Sequence, residues 1–205
     1  MLIRHLTHNS IDKKKWDELI SSATNGLIYA KSWYLDIVSP NWEALVSDDY
    51  SYVFPIPIKR KYKLPYIVQP PLTQQLGVFS KQMVSGDIIQ LFIQRLPSYS
   101  YELNLNEHNR ISGLAGEPNF VLDLSKGYQT ISMSYSKNTV RNIEKAKKNQ
   151  LEVVENVSLS GFIDFYRQTK KTYKTIDYEC LEKLIKAGQQ HNEFRLCGVF
   201  DASGE

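Results

Sequence analysis

The chain has little cysteine and no long apolar run. Two cysteines in 205 residues, Cys180 and Cys197, cannot build a disulfide framework, and no Cys-x-x-Cys or Cys/His cluster stands near them to hold a metal. Both are expected as small core hydrophobes rather than nucleophiles. No apolar stretch approaches the ~18–20 residues that a membrane helix needs. The opening Met-Leu-Ile-Arg-His lacks the apolar core of a signal peptide. Membrane insertion is therefore not expected, and the cytoplasm is the expected compartment. Glycine cradles for phosphate are missing, since neither Gly-x-Gly-x-x-Gly nor a Walker loop occurs. The Gly-x-Ser-x-Gly turn of serine hydrolases is also missing. His5, His8, His108 and His191 are scattered, and no carboxylate pair is spaced for hydrolysis. These residues name no catalytic group and imply no metal.

What is present suits a globular protein with a real core: 42% of residues are apolar and 23% charged, ordinary values for such chains. The net charge of +3 is too mild to indicate nucleic acid by itself. Thirteen tyrosines decide little, because aromatic residues suit strands and ligand clefts equally.

One stretch concentrates charge, Tyr135 to Leu151. On a helix at about 100° per residue, Lys137, Arg141, Lys145 and Lys148 fall within an arc of roughly 80°. Tyr135, Val140, Ile143 and Ala146 fall on the other side, a stripe suited to packing on a sheet. Ser136 is the expected N-cap and Asn149 the expected stop. A helix over 136–149 with one dry and one cationic face can be a solvated surface. It can also grip an anionic group, phosphate or nucleic acid.

Taken in order, Leu2–Leu6 alternates as a strand. Ser10–Ala23 has Ile11, Trp16, Leu19, Ile20 and Ala23 at helical spacing, with Asn25-Gly26 as the stop. A second helix is expected around Ser32–Val38, then a strand over Trp42–Val46 and a turn at Asp48-Asp49. Tyr52–Ile58 is a strand carrying Pro55 and Pro57, so an edge or bulged strand is expected. Lys59-Arg-Lys-Tyr-Lys63 reads as a basic hairpin tip. Tyr66–Phe79 is a strand interrupted at Pro70-Pro71. Ser85–Leu96 is an amphipathic helix with Ile88, Leu91, Phe92 and Leu96 inward, and Tyr99–Leu105 is a further strand. Asn106–Asn119 is polar and reads as a linker. Beyond it come a strand at Phe120–Leu124, the basic helix, a strand at Leu151–Val154, and helices over Ser158–Lys171 and Asp177–Ala187 with Gly188 as stop. A strand at Phe194–Phe200 and a turn at Asp201–Gly204 close the order. The fold class expected is α/β with a mixed sheet.

The run Ser136-Lys-Asn-Thr-Val-Arg-Asn-Ile-Glu-Lys-Ala-Lys-Lys resembles the basic helix of FemAB-like aminoacyl and peptidyl transferases, which belong to the wider GNAT acyltransferase fold. Gly26–Tyr34 resembles that family's Gly-x-x-x-Gln-x-x-x-Trp region, with Ala30-Lys31 near the expected Gln. Val53–Lys61 with Gln69–Gly77 is a third similar segment, and the element order of the first 105 residues matches a GNAT-type domain. The resemblance implies one complete copy over 1–105, a linker over 106–119 and an incomplete second copy over 120–205. Roughly another hundred residues are then expected to follow. It further implies transfer of an acyl or aminoacyl group from acyl-CoA or aminoacyl-tRNA to a small-molecule or peptide amine. The fragment alone is expected to be inactive, because the family holds its donor on later elements of the second copy. Lys31, Tyr34, Gln74, Gln75, Lys137, Arg141, Lys145 and Lys148 are the implied substrate-binding residues. The alternative is a non-catalytic module binding an anion or nucleic acid through the basic helix.

Overall fold

The computed structural model describes residues 1–98, 100–169 and 177–202. Of the residues assigned to elements above, Tyr99, Lys170, Lys171, Ser203 and Gly204 lie outside these ranges. The described residues fall into two compact units. Residues 1–116 and 177–190 form the first, and 117–169 with 191–202 the second.

The first unit is mixed α/β. Strands β1 (Ile3–Leu6), β2 (Glu43–Ser47), β3 (Tyr52–Ile56) and β6 (Phe79–Ser80) make an antiparallel sheet in the order β1-β2-β3-β6. Strand β2 is buried along its whole length, so its alternating side chains divide between two cores. Ala44 and Val46 face Trp16, Leu19, Ile20 and Leu35 from helices α1 (Lys13–Ser22) and α2 (Ser32–Val38). Leu45 faces Phe54, Ile56, Ile89 and Phe92, the last two from α3 (Gly86–Ile93). The sheet is thus covered by helices on both faces. Apolar periodicity anticipated α3, but its most buried residues are Ile89 and Phe92, while Ile88, Leu91 and Leu96 are partly buried.

Local chemistry fixes the helix ends. Asp12 accepts from the Lys15 amide at the start of α1, and Ser85 caps α3. Asp17 on α1 accepts from both the amide and the hydroxyl of Ser32, at 2.8 and 2.5 Å, and so ties α2 to its neighbour. Trp16 donates its indole N–H to the Ala30 carbonyl at 2.7 Å and packs on Trp42. Asp49 in the β2–β3 turn is held near a pKa of about 2 by bonds from the Ser51 amide and the Ser51 and Ser47 hydroxyls.

The two prolines mark a change of sheet. At Pro55, β3 pairs only with β2, because β6 reaches no further than Tyr52 and Val53. At Pro57 the ladder ends, and the chain enters a second sheet of β4 (Ile58–Lys61), β5 (Leu64–Val68) and β7 (Tyr101–Glu102). The expected strand over 52–58 is therefore two strands in two sheets. β5 and β7 run parallel. The expected strand over 66–79 likewise splits into β5 and β6 around Pro70-Pro71.

The first unit continues beyond residue 105. Asn106 and Asn109, placed by composition in a polar linker, are buried. Asn109 accepts from the Val78 amide at 2.6 Å and donates to the Val78 carbonyl at 3.0 Å. Asn25 donates to that same carbonyl and accepts from the Ser80 amide, while Asn106 donates to the Leu76 carbonyl. Gly77 has φ of +124°, and a Cβ there would stand 2.3 Å from Asn109 Oδ1. Helix α7 (Tyr178–Gln190), read from sequence as part of a second copy, also lies in the first unit and packs on α2. Gly188 is buried within α7 and does not end it. Cys180 on α7 is half-buried, whereas Cys197 is exposed and is not a core residue.

The second unit contains α4 (Gly127–Met133), α5 (Lys137–Lys148), β8 (Glu152–Glu155), α6 (Leu159–Thr169) and β9 (Cys197–Phe200). β8 and β9 pair antiparallel as a two-stranded ribbon, and every residue of β8 is exposed. No strand forms at Phe120–Leu124; Phe120, Val121, Leu122 and Leu124 are exposed, so apolar content there did not produce sheet pairing. Among the described residues no helix is long and apolar enough to cross a membrane.

Asn109→Ala strips the buried Val78 amide of its acceptor, an unmet donor that costs about 1–3 kcal/mol. Denaturant unfolding of this variant is expected to show that loss, while the exposed Lys81→Ala stays within about 0.5 kcal/mol of the parent. An Asn109→Ala variant as stable as the parent would contradict a structural role for this contact.

Candidate functional site

Helix α5 forms where the charge pattern placed it. Ser136 caps it by accepting from the Thr139 amide at 3.1 Å, and Asn149 follows its last turn. The left-handed residue that turns the chain away is Gln150, with φ of +56°. Lys145, Lys147 and Lys148 sit in the last turn, where cations meet the negative end of the helix dipole. No residue of α5 is buried. Its apolar side, expected to pack on a sheet, is only half covered at Tyr135, Ile143 and Ala146, and Val140 is exposed. The two-stranded ribbon of this unit is too narrow to provide the expected platform.

Lys137, Arg141, Lys145 and Lys148 are all exposed. Arg141 donates to Asn138 Oδ1 at 2.7 Å, and the helix's acid, Glu144, pairs with Lys147 at 3.2 Å. Glu144 thus neutralises a lysine outside the four-cation face. These four groups can offer an anion a run of donors, with Arg141 suited to a two-point contact and each lysine to a point charge.

Two of the implied residues of the first unit, Lys31 and Tyr34, are engaged internally. Lys31 donates its ammonium to the Ser21 hydroxyl at the end of α1. Tyr34 is buried in α2 and donates its hydroxyl to the Leu72 carbonyl. Burial pushes the Tyr34 phenol well above the ordinary tyrosine range, outweighing the opposing hydrogen bond from Thr73. It therefore remains a protonated donor anchoring the 70–76 loop, where Leu72 has φ of +60°. Gln74 is exposed and Gln75 half-buried within that loop. Lys31, Tyr34, Gln74 and Gln75 belong to the first unit and the four cations to the second.

One buried charge stands outside the residues expected from sequence. Glu43 on β2 is buried, and its carboxylate lies 2.6 Å from both Arg60 Nη2 and His5 Nε2. A glutamate inside the apolar run Trp42–Val46 was the available signal, since such a residue requires a partner. Among the described residues no group of three or more His, Cys, Asp or Glu is arranged to hold a metal ion.

No protein-family model, curated protein or solved structure matches the chain.

Arg141→Ala is expected to weaken binding of an anionic ligand such as coenzyme A or transfer RNA several-fold, as loss of one exposed phosphate contact would. The melting temperature should be nearly unchanged, because the Arg141 side chain is exposed and, among the described residues, bonds Asn138 in its own helix. Titration calorimetry beside a thermal melt checks both, and a large drop in melting temperature would show Arg141 to be structural.

Proposed function

We propose that the chain belongs to a FemAB-like, GNAT-type acyl- or aminoacyltransferase in which α5 supplies cationic contacts to an anionic group of the substrates. The observation that carries this function is the exposed α5 face of Lys137, Arg141, Lys145 and Lys148, on the segment that resembles the family's basic helix. The mixed α/β first unit, with helices on both faces of its sheet, is compatible with a GNAT-like domain.

In such a transfer an amine attacks the donor carbonyl, and the bond to the CoA sulfur or the transfer RNA ribose oxygen breaks. The amine loses a proton and the leaving group gains one. The protein's share is to hold donor and acceptor in reacting geometry and to stabilise charge developing on the carbonyl oxygen. Cations on α5 would serve the first task, since donors of both kinds carry phosphates. The acceptor is a small-molecule or peptide amine, and the donor is a substrate rather than a resident cofactor.

A second function, a non-catalytic module for anions or nucleic acid, is favoured by one observation. Lys31 and Tyr34 spend their polar groups on Ser21 and Leu72, which leaves α5 as the exposed charged element among the implied residues.

The deciding experiment incubates the full-length protein with acetyl-CoA or a charged transfer RNA and a panel of amine acceptors. Transferase function predicts acceptor-dependent release of free thiol or uncharged transfer RNA, which the substitution of all four α5 cations by serine abolishes. Donor binding with steep salt dependence and no release would support the second function instead.

A further inference from the structure

We propose that the tip of the β4–β5 hairpin is a contact site for single-stranded nucleic acid, with Tyr62 stacking on a base and Lys59, Lys61 and Lys63 meeting phosphates. The site belongs to the first unit and does not depend on the function assigned to α5.

The hairpin register separates an anchored face from an open one. Ile58 pairs with Ile67 and both are buried, while Arg60, on the same face, reaches back to the buried Glu43. The opposite face carries Lys59 across from Tyr66 and Lys61 across from Leu64. Lys59, Lys61 and Lys63 are exposed, Leu64 is 72% exposed and Tyr62 is 89% exposed. No acidic residue occurs from Ile58 to Val68, and Arg60 is the hairpin cation that an acid neutralises. Lys61 lies over the Tyr62 ring, 5.9 Å from its centre.

The turn itself indicates that these side chains are what the position supplies. Lys61 and Leu64 are paired, so Tyr62 and Lys63 alone form the turn, and both have positive φ, +51° and +67°. A two-residue turn of that kind is filled without strain by Asn-Gly. Here it holds two residues with long side chains in the left-handed region, a strain of the sort found at functional positions.

Cations interleaved with an exposed aromatic ring suit a single strand, whose phosphates and unstacked bases are presented together. A lipid surface fits less well. Burying this tip in hydrocarbon would carry the Lys63 ammonium inward together with Tyr62.

The test is fluorescence anisotropy of a labelled oligouridylate of about twelve nucleotides, titrated with the full chain at several salt concentrations. It is run with α5 intact and with Lys137, Arg141, Lys145 and Lys148 changed to serine. In both backgrounds Tyr62→Ser is expected to weaken binding roughly five- to a hundredfold, the range for losing one stacked base. Changing Lys59, Lys61 and Lys63 together to serine should lower the slope of log affinity against log salt by about 2. The double variant Y62N/K63G should lose affinity while its melting temperature rises, which separates lost contact from lost folding. Full affinity in Y62N/K63G or Y62S would overturn the proposal. So would binding to vesicles of phosphatidylcholine and phosphatidylserine with none to the oligonucleotide, or binding that the α5 substitutions abolish entirely.

Discussion

Both polar backbone groups of Val78 are bonded by asparagine side chains, and the first unit depends on that arrangement. Val78 lies between Leu76, which bridges to Leu105, and the Phe79–Ser80 strand, which pairs with β3. The isolated bridge at Leu76 has ended at this point, and the ladder with β3 begins at Phe79. A buried amide and carbonyl without partners here would each cost about 1–3 kcal/mol. Asn109 and Asn25 take the place of a neighbouring strand, and Asn106 supports Leu76 in the same way. Gly77 is required because any side chain would enter the space that Asn109 occupies. The chain can thus enter the first sheet at Phe79 without leaving polar backbone buried and unmet.

The rest of the first unit follows from local chemistry that the sequence displays. Spacing of Trp16, Leu19 and Ile20 gave α1 and Ser85 marked the start of α3, while Pro55 and Pro57 suggested an edge or bulged strand over 52–58 and not its division between two sheets. The asparagine contacts were not legible. Asn106 and Asn109 look like loop residues, and only the fold shows that they point into the core. For α7, periodicity identified a helix, but an amphipathic pattern does not say which unit receives the apolar face. Leu184 and Ile185 are buried in the first unit rather than in a second copy.

In the candidate site, the sequence defined α5 well because its signals are local: a serine cap, charge repeating each turn, and a polar stop. The partners of Lys31 and Tyr34 are set by tertiary structure, and both residues became internal ties. The expected dry side of α5 illustrates the same limit. A stripe of Val140, Ile143 and Ala146 shows that one face prefers burial, but not that the unit provides enough sheet to cover it. With no residue fully buried, α5 is held by the partial cover of Ile143 and Ala146 together with its cap, its dipole and short-range pairs, the last three contributing a few tenths to about 1 kcal/mol each. Its cations remain exposed for the same reason.

A scaffold locked at Val78 thus contrasts with a helix that keeps its charged face in solvent. Native-state hydrogen exchange of the whole chain measures both at once. The Val78 and Ser80 amides should be among the slowest to exchange, about a hundredfold or more slower than amides in the middle of α5 such as that of Ile143. Exchange at Ile143 as slow as at Val78 would overturn this contrast, because it would require α5 to be packed as deeply as the scaffold.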